Sequence, residues 1–375
     1  MIAQASKGDP AQILFAISGD IGTCYKVSLT RDGKTVQGYL PARSLSGIES
    51  FEQGRRSAGR IEVPAEVRRE IAARTAGAAA GASNGEGARI QKLMAAGQNE
   101  QALELLQGII KRGQRDANTL AAAGLTALQS DQPKLALDYF DQSLALAPSP
   151  AIQDLRQRAA REVASDRSSE KLVGIKFNFR YDDKAVTADQ ARELLPILDS
   201  EFTRVSESLG CRAEERLTAI VQTPEAYRQS TGAAEWSGGQ YDGRIRVALL
   251  EPTPGEHTRR TFAHEIVHAC LARTGEWPAW LHEGLAQKIS GQTIPDEQRA
   301  EVQRMARQGE LPALEQMGRS WSRLSSRHAA LAYTTALMAI EQLYSAYGAS
   351  GVRNLLQNPT SLGRIAADID RRLRE

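Results

Sequence analysis

Residues 262–269 read FAHEIVHA and residues 277–286 read WPAWLHEGLA. The first stretch has helical periodicity and carries histidines at positions 264 and 268. Side chains four positions apart on an α-helix lie on one face, one turn apart. His264 and His268 could therefore offer two imidazole nitrogens to one metal ion. The alternative is that both are half-buried polar residues of an ordinary helix.

Two glutamates complete the pattern. Glu265 is rotated by about 100° from His264 on a helix, so its carboxylate would face a water beside the ion and not the ion itself. A catalytic zinc needs a third protein ligand and an open position. Glu283 could supply that ligand from a second helix, which Gly284 would allow to pack closely against the histidine helix.

The histidine next to Glu283 is a weaker candidate ligand. Successive helical residues point about 100° apart, so His282 and Glu283 would not both face one ion. The position four beyond His282 is alanine, so no second histidine pair forms there.

HEIVH followed by WLHEGLA resembles the gluzincins, and particularly the peptidase MA-like metallopeptidases of bacteria. The resemblance covers roughly residues 171–350. It implies a zincin-like domain that binds Zn²⁺ through His264, His268 and Glu283. It also implies that Glu265 is the catalytic base in the hydrolysis of a peptide or protein substrate.

Three further positions bear on this resemblance. Many thermolysin-like gluzincins have aspartate four positions after the glutamate ligand, where it orients a zinc histidine, but this chain has Gln287. Tyr333, in AYTT at 332–335, could donate a hydrogen bond to the oxyanion, or it could simply pack within its helix. Residues 238–247 resemble the strand before the zinc helix, which could be an edge strand that pairs with substrate or a purely structural one.

The N-terminal part has a different character. Short strands are predicted at 13–17, 24–29 and 36–40, and the stretch CYKVSLTRDGKTVQGYLPARSL resembles half of a bacterial SH3-like barrel. An unrelated β-meander fits these strands equally well. We therefore expect a small β domain over 1–51, followed by an Ala/Gly-rich linker over 52–82 with one short helix near 64–74.

Residues 83–166 show a repeat of 34 positions that resembles tetratricopeptide (TPR) repeats. The repeat implies helical hairpins that bind a protein partner, with a capping helix over 151–165. An ordinary pair of helical hairpins is the alternative. The positions that carry the resemblance are Gly124, Ala136, Phe140 and Pro148, with Ala102 and Leu106 in the preceding copy.

The remaining segment, 171–375, has an α+β pattern and would form the metallopeptidase domain. Strands are predicted at 173–181, 217–222 and 243–250, and a helix at 187–209, with mainly helical structure after residue 259. The whole chain is therefore predicted to be an α+β multidomain protein: a β segment, a helical repeat array and a zincin-like domain.

Composition narrows the possible partners and the compartment. The chain has 375 residues and a net charge of +2, without the clustered charge typical of nucleic-acid binding. No apolar run approaches about 18 residues, so no transmembrane segment is predicted. No signal peptide is visible, but the resemblance favours a periplasmic or other extracytoplasmic location. Cys24, Cys211 and Cys270 are expected to be buried thiols, because three scattered cysteines do not form a disulfide framework.

Other functions are compatible with the same sequence. The peptidase domain could be a catalytically inactive scaffold that binds peptides or proteins, or a domain stabilised by a structural metal. If the helical repeats serve only recognition, a fragment spanning 171–375 should keep basal peptidase activity and lose partner capture.

Overall fold

The structure is a computed structural model that describes residues 11–19, 22–31, 34–41, 44–46, 85–165, 169–231, 238–249, 255–318 and 326–375. Within these residues the chain is mixed α and β and mostly helical, with two small sheets. This agrees with the predicted class at a coarse level. The predicted linker over 52–82, with its short helix, lies outside the described residues.

The N-terminal strands form a three-stranded antiparallel sheet with the order β1-β2-β3. Each predicted strand lies within one of them, and Val27 at the centre of β2 is fully buried. The SH3-like assignment remains a prediction. The strands are β1 Ala11–Gly19, β2 Gly22–Arg31 and β3 Lys34–Pro41.

Five helices follow over residues 86–165, and we call them the helical module. Each packs against the next in sequence. Gly124 lies against Phe140, and a Cβ at position 124 would come within 2.6 Å of that ring. A side chain at position 124 would therefore collide with Phe140, while the TPR assignment itself remains a prediction. The helices are α1 Glu86–Ala95, α2 Asn99–Lys111, α3 Ala117–Gln129, α4 Pro133–Leu146 and α5 Pro150–Ser165.

A five-stranded mixed sheet has the order β4-β5-β6-β8-β7. The three inner strands run parallel, and both outer strands are antiparallel to their neighbours. β7 is thus a short edge strand, connected to β8 by a tight hairpin turn. The strands are β4 Ser169–Val173, β5 Phe177–Asp182, β6 Leu217–Gln222, β7 Gly239–Tyr241 and β8 Ile245–Ala248.

The single strand predicted over 173–181 is wrong, because this stretch contains a β-hairpin. Val173 and Ile175 are 68% and 78% exposed. The carboxylate of Asp199 accepts hydrogen bonds from the backbone N–H groups of Ile175 and Lys176 and thereby holds the turn. Alternating apolar residues continued through the turn, so periodicity alone did not reveal it.

Helices cover the mixed sheet and form most of the C-terminal half. Thr187 begins α6 with a capping box to Gln190, which fixes the start of the predicted helix at 187–209. The last long helix, α11, has a kink at Gly348. The helices are α6 Ala188–Leu209, α7 Pro224–Thr231, α8 Glu256–Thr274, α9 Ala279–Ile289, α10 Asp296–Gln308, α11 Ser326–Gln357 and α12 Leu362–Arg374.

Cys211 and Cys270 form a disulfide, which corrects the expectation that both are free thiols. Their Cα atoms are 5.6 Å apart although 59 positions separate them in sequence. Such proximity depends on tertiary packing, which cysteine spacing does not reveal. The bond links the end of α6 to α8, the helix that carries His264 and His268.

Across the described residues, no helix combines the length and apolar character needed to cross a bilayer.

Candidate metal centre

Helix α8 places His264 and His268 on one face. Their rings lie 4.8 Å apart between centroids, at an angle of 76°. The opposite face is anchored in the core, where Phe262, Ile266 and Val267 are fully buried. The sequence predicts this arrangement. Two histidines four positions apart share one face of a helix, and the apolar residues of the motif point elsewhere.

Glu283 reaches the same point from helix α9. Its Oε2 lies 3.5 Å from Nε2 of His264 and 3.6 Å from Nε2 of His268. The three potential ligand atoms all lie within 4.8 Å of one another. Two ligands about 2.05 Å from a tetrahedral zinc are roughly 3.3–3.5 Å apart. The chemistry and spacing of this donor set therefore fit one divalent ion.

Burial and charge act on Glu283 in opposite directions. Burial alone would raise the pKa of its carboxyl, because it disfavours the charged form. The imidazoles of His268 and His264 outweigh this effect and hold the pKa of Glu283 well below its ordinary value. The side chain of Glu283 is 4% exposed, compared with 22% for His264 and 15% for His268. The imidazole side of the cluster is thus the side open to solvent.

Glu265 packs beneath the edge strand of the sheet. It is 5% exposed. A Cβ at Gly239, the first residue of β7, would lie 2.6 Å from Oε1 of Glu265 and 2.9 Å from its Cγ. A side chain at position 239 would therefore force this carboxylate to move. The predicted base and the edge strand are therefore in direct contact.

His282 contacts the candidate ligand His268 on its far side. The two Nδ1 atoms are 3.4 Å apart, so one of them donates and the other accepts. The ring of His268 thus has Glu283 near Nε2 and His282 near Nδ1. In the sequence, His282 stood out only as a weak candidate ligand. The sequence signal for this contact was that His282 is adjacent to Glu283. Two successive residues of one helix could approach the two ring nitrogens of His268.

Gln287 does not replace the aspartate of thermolysin-like enzymes. Its Nε2 donates to the backbone oxygen of Glu283 at 3.2 Å and to that of Tyr333 at 3.0 Å. Gln287 therefore joins α9 to α11 and supports Glu283 through the main chain. The side chain of Tyr333 is partly buried against the core. Its role as an oxyanion donor remains a prediction.

The expected role of Gly284 is wrong. A Cβ at this position would lie 2.5 Å from the backbone oxygen of Ala336 and 2.5 Å from Cγ1 of Ile340, both on α11. Gly284 thus permits close packing of α9 against α11 and not against the histidine helix. Because Glu283 faces α8, the next residue is rotated by about 100° to another face.

No protein-family model matches the sequence, and a search of curated proteins gives no significant match. The grounds for a functional assignment are therefore the motif spacing and the side-chain arrangement described above.

Proposed function

We propose that this chain is a zinc-dependent peptidase of the gluzincin type. The observation that carries the proposal is the convergence of His264, His268 and Glu283 from two helices. Glu265, which follows His264 in the sequence, is buried against the edge strand. Two imidazoles and a carboxylate with an open side make up the ligand set of catalytic zinc. Structural zinc sites usually have four protein ligands, so a purely structural metal is less well supported.

Each residue has a definite task in this proposal. His264 and His268 would hold zinc through Nε2, and Glu283 would supply a negative charge. When bound, zinc would polarise the substrate carbonyl and make water more acidic. Glu265 would accept the proton of the attacking water and deliver it to the leaving amine. Tyr333 is proposed to donate to the carbonyl oxygen as it becomes anionic.

Edge strand β7 offers a main-chain template for an extended substrate. A strand at the edge of a sheet has one row of backbone groups available for pairing with another chain. Gly239 brings this edge directly beside Glu265. The substrate class proposed here is therefore a peptide, or a protein segment in extended conformation.

The helical module is proposed to bind a protein partner. Stacked helical hairpins form the extended surfaces that repeat proteins use for recognition. The disulfide between Cys211 and Cys270 supports an extracytoplasmic location, since such bonds persist mainly in oxidising compartments.

The test is chelator-sensitive proteolysis. Zinc-loaded chain should hydrolyse denatured casein, lose activity with a chelator and regain it with zinc. Glu265→Gln should retain zinc and lose activity by about 10²–10⁴-fold, the typical contribution of a general base. Glu283→Ala should lose zinc affinity. Glu297→Gln, at an exposed glutamate on α10, is the matched control.

Full activity of Glu265→Gln would refute the assigned base. A wild-type chain that binds zinc but hydrolyses nothing would instead favour the inactive scaffold.

A further inference from the structure

A cluster of charged side chains is buried between the helical module and the mixed sheet, and we call it the ionic cluster. All its side chains are 4% exposed or less, except that of Asp131 at 10%. The module and the sheet each contribute three members. They are Asp131, Arg158 and Glu162 from the module, and Asp242, Arg244 and Arg246 from the hairpin of β7 and β8.

The contacts of the ionic cluster cross between the two parts. Asp242 pairs with Arg158 of α5 and, at 2.8 Å, with Arg246 of β8. Glu162 of α5 accepts from Arg244 at 2.6 Å and lies 2.8 Å from Arg246. Every carboxylate therefore faces at least one arginine.

Asp131 extends the cluster from the turn between α3 and α4. Its backbone has a φ of 57°, a left-handed conformation uncommon for residues other than glycine. Its carboxylate lies 2.9 Å from Arg180 of β5 and 3.3 Å from Arg244. The module thus supplies negative charge both to an arginine of β5 and to one in the turn between β7 and β8.

Electrostatics make the partners interdependent. Burial would raise the pKa of Asp242 and of Glu162, but the arginines around them outweigh it and lower both values. Without these carboxylates the arginines would be buried without compensating charge, which is strongly unfavourable.

The turn between β7 and β8 is held by the module at three successive residues. Asp242 pairs with Arg158, and Arg244 pairs with Glu162. Gly243 lies between them with a φ of 97°, and a Cβ there would be 3.1 Å from Cγ of Gln129 on α3. Strand β7 thus begins at Gly239, next to Glu265, and ends at Tyr241. The turn that the module contacts follows immediately.

A second contact connects the module with helix α8. Arg273 donates to the backbone oxygen of Ala269 at 2.6 Å and lies 3.5 Å from the hydroxyl of Tyr241 in β7. Its guanidinium also packs against Gly97, in the turn between α1 and α2, where a Cβ would approach within 3.1 Å. The module therefore touches the turn that follows the edge strand and the end of the histidine helix.

We propose that the helical module is a structural part of the catalytic centre, in which Arg158 and Asp242 act as positioning residues that hold β7 against Glu265. The inference rests on the proposed peptidase function. It opposes the expectation that a fragment spanning 171–375 is active. That fragment lacks Asp131, Arg158 and Glu162. Of the three carboxylates in the ionic cluster, it retains only that of Asp242.

The test uses conservative changes in the full-length chain. Asp242→Asn removes the charge and keeps an oxygen that can accept the hydrogen bond from the backbone N–H of Arg244. Arg158→Lys keeps the positive charge but has fewer hydrogen-bond donors. It is the variant to measure if Asp242→Asn does not fold. Arg156→Gln is the control, because it breaks an exposed ion pair with Asp141 within the same module.

Two quantities are measured, turnover per zinc-loaded molecule and amide hydrogen exchange of β7. Asp242→Asn should keep its bound zinc while kcat falls by about 10–100-fold, the effect of a small misplacement of reacting groups. Exchange over residues 239–242 should become at least about tenfold faster, because the strand opens locally. Arg158→Lys, which retains the positive charge, should show smaller changes in both quantities, and the control should match wild type.

The outcomes separate this role from the function itself. An active wild type together with unchanged kcat and unchanged exchange in folded Asp242→Asn would overturn the positioning role and leave the peptidase proposal standing. An inactive wild type would overturn both. Loss of thermal stability with wild-type kcat per folded molecule would show that the cluster only stabilises the fold, and this too would overturn the positioning role.

Discussion

The imidazole of His268 has a partner on each side of its ring. Nε2 lies near the carboxylate of Glu283, and Nδ1 lies 3.4 Å from Nδ1 of His282. A histidine that binds metal through Nε2 carries its proton on Nδ1, and a partner there fixes both the tautomer and the ring orientation. His282 is positioned to be that partner.

His282→Ala should therefore weaken zinc binding by about 10–100-fold, the usual effect of removing a group that orients a metal ligand. The measurement is competition for zinc against a chromophoric chelator, which needs no catalytic activity. His257→Ala is the matched control, because His257 is exposed in the first turn of the same helix α8. Unchanged zinc affinity in His282→Ala would show that His268 needs no partner at this position.

The sequence predicted that the three candidate ligand side chains approach one another. It did not predict their contacts with neighbouring side chains. Spacing on a helix was enough to group His264 with His268, and the search for a third ligand led to Glu283. Helical rotation predicted that His282 would not join the ligand set. It could not show that His282 would contact His268 instead, because that contact depends on how α8 and α9 cross.

At the scale of elements, the disulfide between Cys211 and Cys270 restrains the histidine helix. It closes a loop of 59 positions. In the chain-entropy model, a loop of this size is worth about 4 kcal/mol through restriction of the unfolded state. The Cys211→Ala/Cys270→Ala double variant should lose free energy of unfolding of that order in guanidinium titrations. If oxidised and reduced wild type unfold with the same guanidinium midpoint and the same slope, the disulfide is not present.

Most elements could be predicted because their signals are local. The strand at 217–222 and the helix that begins after Thr187 lie where the apolar pattern of the sequence predicted them. The hairpin at 174–176 could not be predicted in this way. Its turn is held by Asp199, which follows more than twenty positions later. The disulfide was missed for the same reason, since the residues meet only in the folded chain.

At the scale of the whole molecule, the helical module and the mixed sheet share a buried ionic cluster. Nothing in the sequence distinguishes these charges from the many others, because acidic and basic residues alternate along the chain and nearly cancel. Only the fold shows that the side chains of Arg158, Glu162 and Asp242 are buried together. Charged side chains from the two sides of the domain boundary predicted near residue 166 are therefore buried against one another.

The central claim is that two helices supply three ligands to one zinc ion. Anomalous diffraction at the zinc absorption edge, from crystals of the full-length chain grown with zinc, tests it most directly. We predict one strong peak within bonding distance of Nε2 of His264, Nε2 of His268 and a carboxylate oxygen of Glu283. A peak bound elsewhere, or no peak beside these three side chains, would contradict the account.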